Sequence, residues 1–164
     1  MSTNPTTVTA EPGTPFIDVV REFDAPPELV FRAYTDPELV AQWIGPRALE
    51  MVVDHYDART GGSWAYTHRD HTGGEYNFHG TFHSVTPQQL VQTFEFEGYP
   101  GHVALESATL EALDGGRTRV TTHSVYQSVE DRDGMVASGM ETGLTEGYER
   151  LDELLPTLVA SSTR

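Results

Sequence analysis

The sequence lacks cysteine altogether, and it also lacks lysine. Without cysteine, the chain has neither a disulfide framework nor a thiolate nucleophile. The chain has ten arginines and 25 acidic residues, which gives a formal charge of -15. A surface this acidic repels phosphate backbones and anionic lipids. We therefore expect no nucleic-acid partner.

Long apolar runs are missing as well. No stretch approaches the ~20 apolar residues of a membrane span, and the N-terminus has neither the basic start nor the apolar stretch of a signal peptide. We expect a cytoplasmic protein without membrane insertion. Its 164 residues suit one domain with a substantial core. The sequence leaves monomer and homodimer open.

Motifs for cofactors and metals are also absent. The chain has no nucleophile elbow, phosphate-binding loop or paired-carboxylate motif. His79 and His83 share a strand face, but four residues at ~3.3 Å each place them about 13 Å apart. Two ligands of one zinc ion must both lie within ~2.1 Å of it. His68 and His71 have no acidic partner at a diagnostic spacing, so we predict no metal and no cofactor.

The apolar pattern divides the chain into a leader, one domain and a tail. Residues 1–15 are rich in threonine, proline and small polar residues, which predicts a disordered leader. Residues 16–158 form the domain, and residues 159–164 a flexible tail. Alternating apolar and polar residues predict a first strand over Phe16–Phe23. Two short helices follow, each with an aspartate and proline start signal.

Strand and turn signals fill the middle of the chain. Glycine-rich turns at short intervals indicate sequential antiparallel hairpins. The predicted strands cover residues 49–58, 63–69, 76–85, 90–97, 103–113 and 118–127.

The last periodic stretch, residues 128–155, predicts an amphipathic helix capped at Ser128. Pro156 should end or kink this helix. Gly139, Gly143 and Gly147 lie beside its apolar arc, although each glycine costs about 1 kcal/mol relative to alanine. The glycine row indicates either close approach by the sheet or space left for a ligand. The spacing alone leaves both interpretations open.

Side chains alternate across each strand, so parity groups aromatic residues on shared faces. If these faces look toward the last helix, they enclose an aromatic space with a few hydroxyl and imidazole groups. That mixture is typical of a small-molecule pocket, but it also suits an ordinary aromatic core. The candidate ligand-binding residues are Trp64, Tyr66, His68, Phe78, Phe82, Phe94, Phe96, Thr122, Ser124, Tyr126, Met140, Gly143 and Leu144.

Five different short motifs are spaced along the chain. They are FDAPPELVFRA from Phe23, TDPEL from Thr35, WIGP from Trp43, DARTGG from Asp57 and GRTRV from Gly116. With these motifs, residues 16–155 resemble the activator of heat-shock protein 90 ATPase homologue family of the START-like (SRPBCC) superfamily. The resemblance implies an α+β helix-grip fold of order β-α-α-β6-α. In such a fold a curved antiparallel sheet surrounds the long C-terminal helix, with a cavity between them.

Three functions are compatible with this reading. We favour a non-enzymatic protein that holds a small apolar or aromatic molecule, lipid- or polyketide-like, in the cavity. The second is a cyclase or dehydratase, in which His68 with Tyr66 or Tyr126 supplies a proton donor and acceptor. The third, which the resemblance implies, is a chaperone-related protein-interaction module.

Overall fold

Eight strands form one antiparallel sheet within residues 4–162, the part of the chain that the computed structural model describes. The sheet order is β1-β2-β8-β7-β6-β5-β4-β3, so β3 to β8 are sequential hairpins and β2 joins the far side of β8. The strands are β1 (Thr6–Thr9), β2 (Phe16–Phe23), β3 (Glu50–Tyr56), β4 (Ser63–Arg69), β5 (Glu75–Thr86), β6 (Gln89–Phe96), β7 (Val103–Leu113) and β8 (Arg117–Val125).

Four helices complete the described chain. They are α1 (Pro27–Thr35), α2 (Pro37–Trp43), α3 (Val129–Ala137) and α4 (Met140–Ser162). The long helix α4 packs against α1, α2 and α3. The predicted α+β fold with a curved antiparallel sheet and a long C-terminal helix is confirmed.

Helices α1 and α2 form a brace whose local structure follows from the sequence. The Asp36 carboxylate accepts a hydrogen bond from the Glu38 amide at 3.0 Å and so caps α2. Proline occupies the first turn of both helices, where its missing donor costs little. The Trp43 Nε1 donates to the Ala33 carbonyl at 2.9 Å, which fastens α2 to α1.

The C-terminal helix is interrupted, which corrects the prediction of one continuous helix from Ser128. The predicted cap is present, since the Ser128 hydroxyl accepts a hydrogen bond from the Asp131 amide at 3.0 Å. Helix α3 ends shortly afterwards because Gly139 adopts φ = +84°, which a right-handed helix does not allow. In one continuous helix Val136 would lie in the buried apolar arc. Because of the break, Val136 is 45% exposed.

Helix α4 continues through Pro156 to Ser162. Of the two predicted alternatives at this proline, the end is therefore wrong, and the kink stays a prediction. Proline removes one backbone donor. The burial of Leu155 and Leu158, which are 2% and 6% exposed, offsets that loss. The predicted flexible tail is therefore helical up to Ser162, and residues 163 and 164 lie outside the described residues.

The N-terminal leader contains a strand, so the prediction of disorder over residues 1–15 is wrong for Thr6–Thr9. Strand β1 pairs antiparallel with β2, and Val8 packs against the core. Backbone pairing with β2 thus orders a segment that has little apolar surface of its own. Residues 1–3 lie outside the described residues.

A buried ion pair ties α4 to the sheet. Arg21 on β2 is 2% exposed, and both of its terminal guanidinium nitrogens bond the carboxylate of Asp152 on α4. The guanidinium lies 4.9 Å from the ring centroid of Phe23 and 5.8 Å from that of Tyr148. Leu151 beside the pair is fully buried. The C-terminal half of α4 therefore rests on a filled core.

Two glycines let α4 approach the turn that follows α2. A β-carbon on Gly147 would lie 3.0 Å from the Trp43 carbonyl oxygen, and one on Gly143 would lie 3.3 Å from Cδ of Pro46. The close approach therefore comes from this turn and not from the sheet. Gly139 belongs to the helix break and not to the same packing row.

We expect Gly147→Ala to destabilise the protein and Gly134→Ala to stabilise it. Gly134 lies in α3 with no atom within 4 Å of an added β-carbon, so the change should add about 0.5–1 kcal/mol of helix propensity. The added methyl at position 147 would press on the Trp43 carbonyl, and overpacking costs about 1–3 kcal/mol. Urea unfolding measures both changes. Equal stabilisation by the two alanines would contradict this account of the glycines.

Candidate ligand cavity

A cavity of about 230 Å³ lies between the sheet and the N-terminal half of α4. Its walls come from the brace and the turn after it, from β3, β4, β6, β7 and β8, and from α4. Four small residues are part of the lining: Gly143 and Gly147 on α4, Gly45 in the turn and Ala108 on β7.

Aromatic rings form a large part of the cavity wall. Trp64 and Tyr66 on β4 stack with ring centroids 5.0 Å apart and planes 23° apart. Phe94 on β6 lies 5.9 Å from Trp64. From the helical side, Trp43 and Tyr148 stack at 6.2 Å and 19°. These rings offer apolar faces of the kind that small-molecule pockets use.

The structure brings together some of the candidate residues and separates others. Six of them line the cavity: Trp64, Tyr66, Phe94, Thr122, Gly143 and Leu144. The other seven lie outside the described lining: His68, Phe78, Phe82, Phe96, Ser124, Tyr126 and Met140. The part that any of them takes in binding stays a prediction.

Several lining residues were not selected from the sequence. Tyr34, Trp43, Tyr56 and Tyr148 come from α1, α2, β3 and α4, so their inward direction depends on how the helices pack on the sheet. Of these four residues, Tyr148 is the one whose inward direction the sequence indicated, because it falls in the apolar arc of the last helix.

Glu106 is the most consequential residue that the sequence analysis missed. It lies on β7 opposite Gln92 of β6 and Ser124 of β8, and both Glu106 and Gln92 line the cavity. The Ser124 hydroxyl donates to its Oε2 at 3.4 Å. Part of the side chain remains accessible, and the cavity is where it meets open space. Burial raises the pKa of Glu106 to about 7.

Four tyrosines surround this carboxyl. Burial raises the pKa of Tyr56, Tyr66, Tyr126 and Tyr148 above the ordinary tyrosine value, and the negative charge of Glu106 raises each of them further. All four phenols are therefore neutral at physiological pH. The Tyr56 hydroxyl donates to the Tyr34 carbonyl at 3.0 Å, which fixes its ring against the brace.

His68 is buried beside the cavity. Its ring centroid lies 5.2 Å from that of Tyr66 and 5.5 Å from that of Phe78, and its edge lies against Gly45. Burial, with a smaller contribution from the charge of Arg150, lowers the pKa of His68 to about 4. The ring is therefore neutral at physiological pH. Its Nε2 has no hydrogen-bond partner among the described residues.

A larger hollow of about 570 Å³ lies beside the C-terminal half of α4, between that helix and Asp24 and Arg47. Charged side chains line it, and Arg47 and Glu153 form an ion pair there while remaining 47% and 63% exposed. The Arg47 amide also donates to the Glu146 carboxylate at 2.9 Å. Asp152 pairs with Arg21 and Asp24 with Arg117, so most of these charges already have partners, and we regard the aromatic cavity as the candidate site.

Sheet, helix and cavity together define a START-like helix-grip domain. The family model described as "Activator of Hsp90 ATPase homolog 1-like protein" matches residues 24–156. The chain belongs to this family. No curated protein matches it.

Solved structures share the fold over nearly the whole chain. A protein from Arthrobacter aurescens is 27% identical with a TM-score of 0.84, and the match covers 92% of this chain and 91% of that chain. A protein from Rhodobacter sphaeroides is 25% identical with a TM-score of 0.83, covering 93% and 99%. A protein from Mycobacterium smegmatis is 26% identical with a TM-score of 0.82, covering 92% and 97%.

Two further features are absent from the described residues: membrane-spanning helices and metal-binding groups. None of the four helices within residues 4–162 has the length and apolarity needed to cross a membrane. In the same part of the chain, no three His, Asp or Glu side chains form a group that could hold a metal ion.

The raised pKa of Glu106 predicts how Glu106→Gln changes stability with pH. The folded state holds the Glu106 proton up to about pH 7, whereas the unfolded state releases it near the ordinary value of 4.5. The wild type therefore loses stability from this group as pH rises through that window. Glutamine does not titrate, so the variant should gain on the wild type by roughly 3 kcal/mol at most between pH 4.5 and 8.

His68 changes the stability of the protein with pH in the opposite direction, over an overlapping range of pH. Its pKa of about 4 lies below the ordinary value of 6.5, so it adds stability as pH rises from about 4 to 6.5. Both proteins keep His68, so its contribution cancels when the urea-unfolding free energy of the wild type is subtracted from that of Glu106→Gln. A difference that stays constant from pH 4.5 to 8 would show that Glu106 is not buried as described.

Proposed function

We propose that this protein binds a compact aromatic or apolar molecule in the cavity between the sheet and α4. The observation that carries the proposal is the aromatic cavity of about 230 Å³. Apolar surface buried there contributes about 25 cal/mol per Å². START-like domains commonly bind ligands, and the family membership supports the same conclusion.

The size of the cavity narrows the class of ligand. Pockets for drug-sized molecules measure about 300–1,000 Å³, and an apolar cavity of about 150 Å³ accommodates benzene. At about 230 Å³, the present cavity suits a molecule with one or two rings. A polyketide-like or lipid-like ligand would have to be small, or would have to extend beyond the cavity.

The enzymatic alternative has less support from the geometry. A cyclase or dehydratase would need His68 with Tyr66 or Tyr126 near the substrate. Tyr66 is among the described residues that line the cavity, but His68 and Tyr126 are not. His68 is also neutral with a pKa of about 4, which makes it a weak base. We therefore favour binding without catalysis.

The two tryptophans provide the readout for a binding experiment. The chain has two tryptophans, and both line the cavity. In ¹⁵N-labelled protein their indole N–H signals should shift when 1-naphthol or 2-phenylethanol is added. The Trp43 Nε1 donates to Ala33 and the Trp64 Nε1 is buried against Gly80, so the shifts should come from the ligand's position beside the two rings and not from a new bond to either nitrogen.

Ala108→Leu should fill the cavity and weaken binding of both probes by about tenfold or more, since tenfold corresponds to about 1.4 kcal/mol. Ala108 lines the cavity. Ala112 lies on the same strand but is exposed, so Ala112→Leu is the matched control and should bind as the wild type does. Unchanged binding by Ala108→Leu would place the probes elsewhere and contradict the proposal.

A further inference from the structure

The cavity contains one charge without a counter-charge. Among the described residues that line it, Glu106 is the single carboxylic acid, and no arginine or histidine lies with it. A buried carboxylate without a cationic partner is costly, which is why the group holds its proton more tightly than usual. A ligand that brought a positive charge would remove that cost.

Most of the hydrogen-bonding capacity of this carboxyl is unused. An ionised carboxylate accepts about four hydrogen bonds. Within residues 4–162, the one hydrogen bond that Glu106 receives comes from the Ser124 hydroxyl at 3.4 Å, which is long for an O–H to O contact. The Gln92 side chain is the direct cross-strand neighbour. The carboxyl can therefore accept further donors from a bound molecule.

The aromatic walls suit the same kind of ligand. Trp43, Tyr56, Trp64 and Tyr148 line the cavity that Glu106 faces. Tryptophan and tyrosine faces attract cations, and the attraction grows when the site is desolvated. A metal ion fits less well, since no second acidic side chain accompanies Glu106 in the described lining and hard cations take six or more oxygen ligands.

We propose that the cavity selects a compact aromatic molecule bearing a protonated amine, with Glu106 as its counter-ion. The ring occupies the aromatic space beside Trp64, and the ammonium group donates to the Glu106 carboxylate. This inference rests on the proposed function, because it names the class of ligand for the same cavity. An aromatic carboxylate of equal size is rejected, since it would place two negative charges together.

The affinity for such an amine should rise with pH. Glu106 has a pKa of about 7 in the empty cavity, and the ammonium group favours the ionised form. Binding therefore strengthens from pH 5 to 8. The other ionisable groups near Glu106 stay neutral over this range: burial raises the pKa of Tyr34, Tyr56, Tyr66, Tyr126 and Tyr148, and the pKa of His68 lies at about 4.

Three probes of similar size and different charge test the proposal. They are 2-phenylethylamine, which is cationic, 2-phenylethanol, which is neutral, and phenylacetate, which is anionic. Calorimetry at pH 8 should show the amine binding at least about tenfold more tightly than the alcohol, as expected for one charge-assisted hydrogen bond. Phenylacetate should bind more weakly than either.

Glu106→Gln separates the charge from the shape of the site. A cooperative urea-unfolding transition shows that the variant is folded, and the variant should bind 2-phenylethylamine and 2-phenylethanol with similar affinity. Its affinity for 2-phenylethylamine should fall about tenfold and lose its dependence on pH between 5 and 8. Ala112→Leu serves as a control that keeps the preference for the amine.

The possible results distinguish failure of the Glu106 proposal from failure of the proposed function. Binding of the alcohol with no preference for the amine, or a preference that survives Glu106→Gln, overturns the role of Glu106 and leaves the proposed function standing. Failure of all three probes to bind overturns both proposals. Preference for the amine at pH 8 that is lost at pH 5 and in the glutamine variant supports both.

Discussion

The architecture depends on the buried ion pair between Arg21 and Asp152. The guanidinium joins the second strand to the last helix, and it also bonds the hydroxyl of Thr6 on the first strand at 3.3 Å. It lies against the rings of Phe23 and Tyr148. Removing one partner of a buried pair leaves an uncompensated charge, which costs about 3–5 kcal/mol. The pair therefore sets the position of the helix, and through Tyr148 it sets one wall of the cavity.

The two halves of this helix have different surroundings because of that attachment. Beyond the ion pair, Leu151 and Leu155 bury into a filled core. Before it, Gly143 and Gly147 pack against the turn after α2, and the aromatic cavity lies beside them. The space for a small molecule therefore lies along this half of the helix, and among the described residues that line it Glu106 is the single carboxylic acid.

Much of the fold could be predicted from the sequence, because apolar alternation and turn residues act locally. The helix break at Gly139 could not, since the apolar period continues across it and the glycine also fits a packing row. The strand at Thr6–Thr9 could not either, because its order comes from pairing with a distant segment. Glu106 was missed for another reason. Its parity with Ala104 and Ala108 points inward, but a glutamate in a strand usually indicates a solvent face.

The first strand has a consequence for the free edges of the sheet. An open antiparallel sheet has two edges, and each presents unpaired backbone groups that invite another chain to add a strand. Here one edge is β1, which is four residues long, and it covers part of the longer strand β2. The other edge is β3, whose register shifts between Val53 and His55 and against which α2 packs. Short length on one side and an irregular, partly covered strand on the other discourage fibrous stacking of neighbouring molecules.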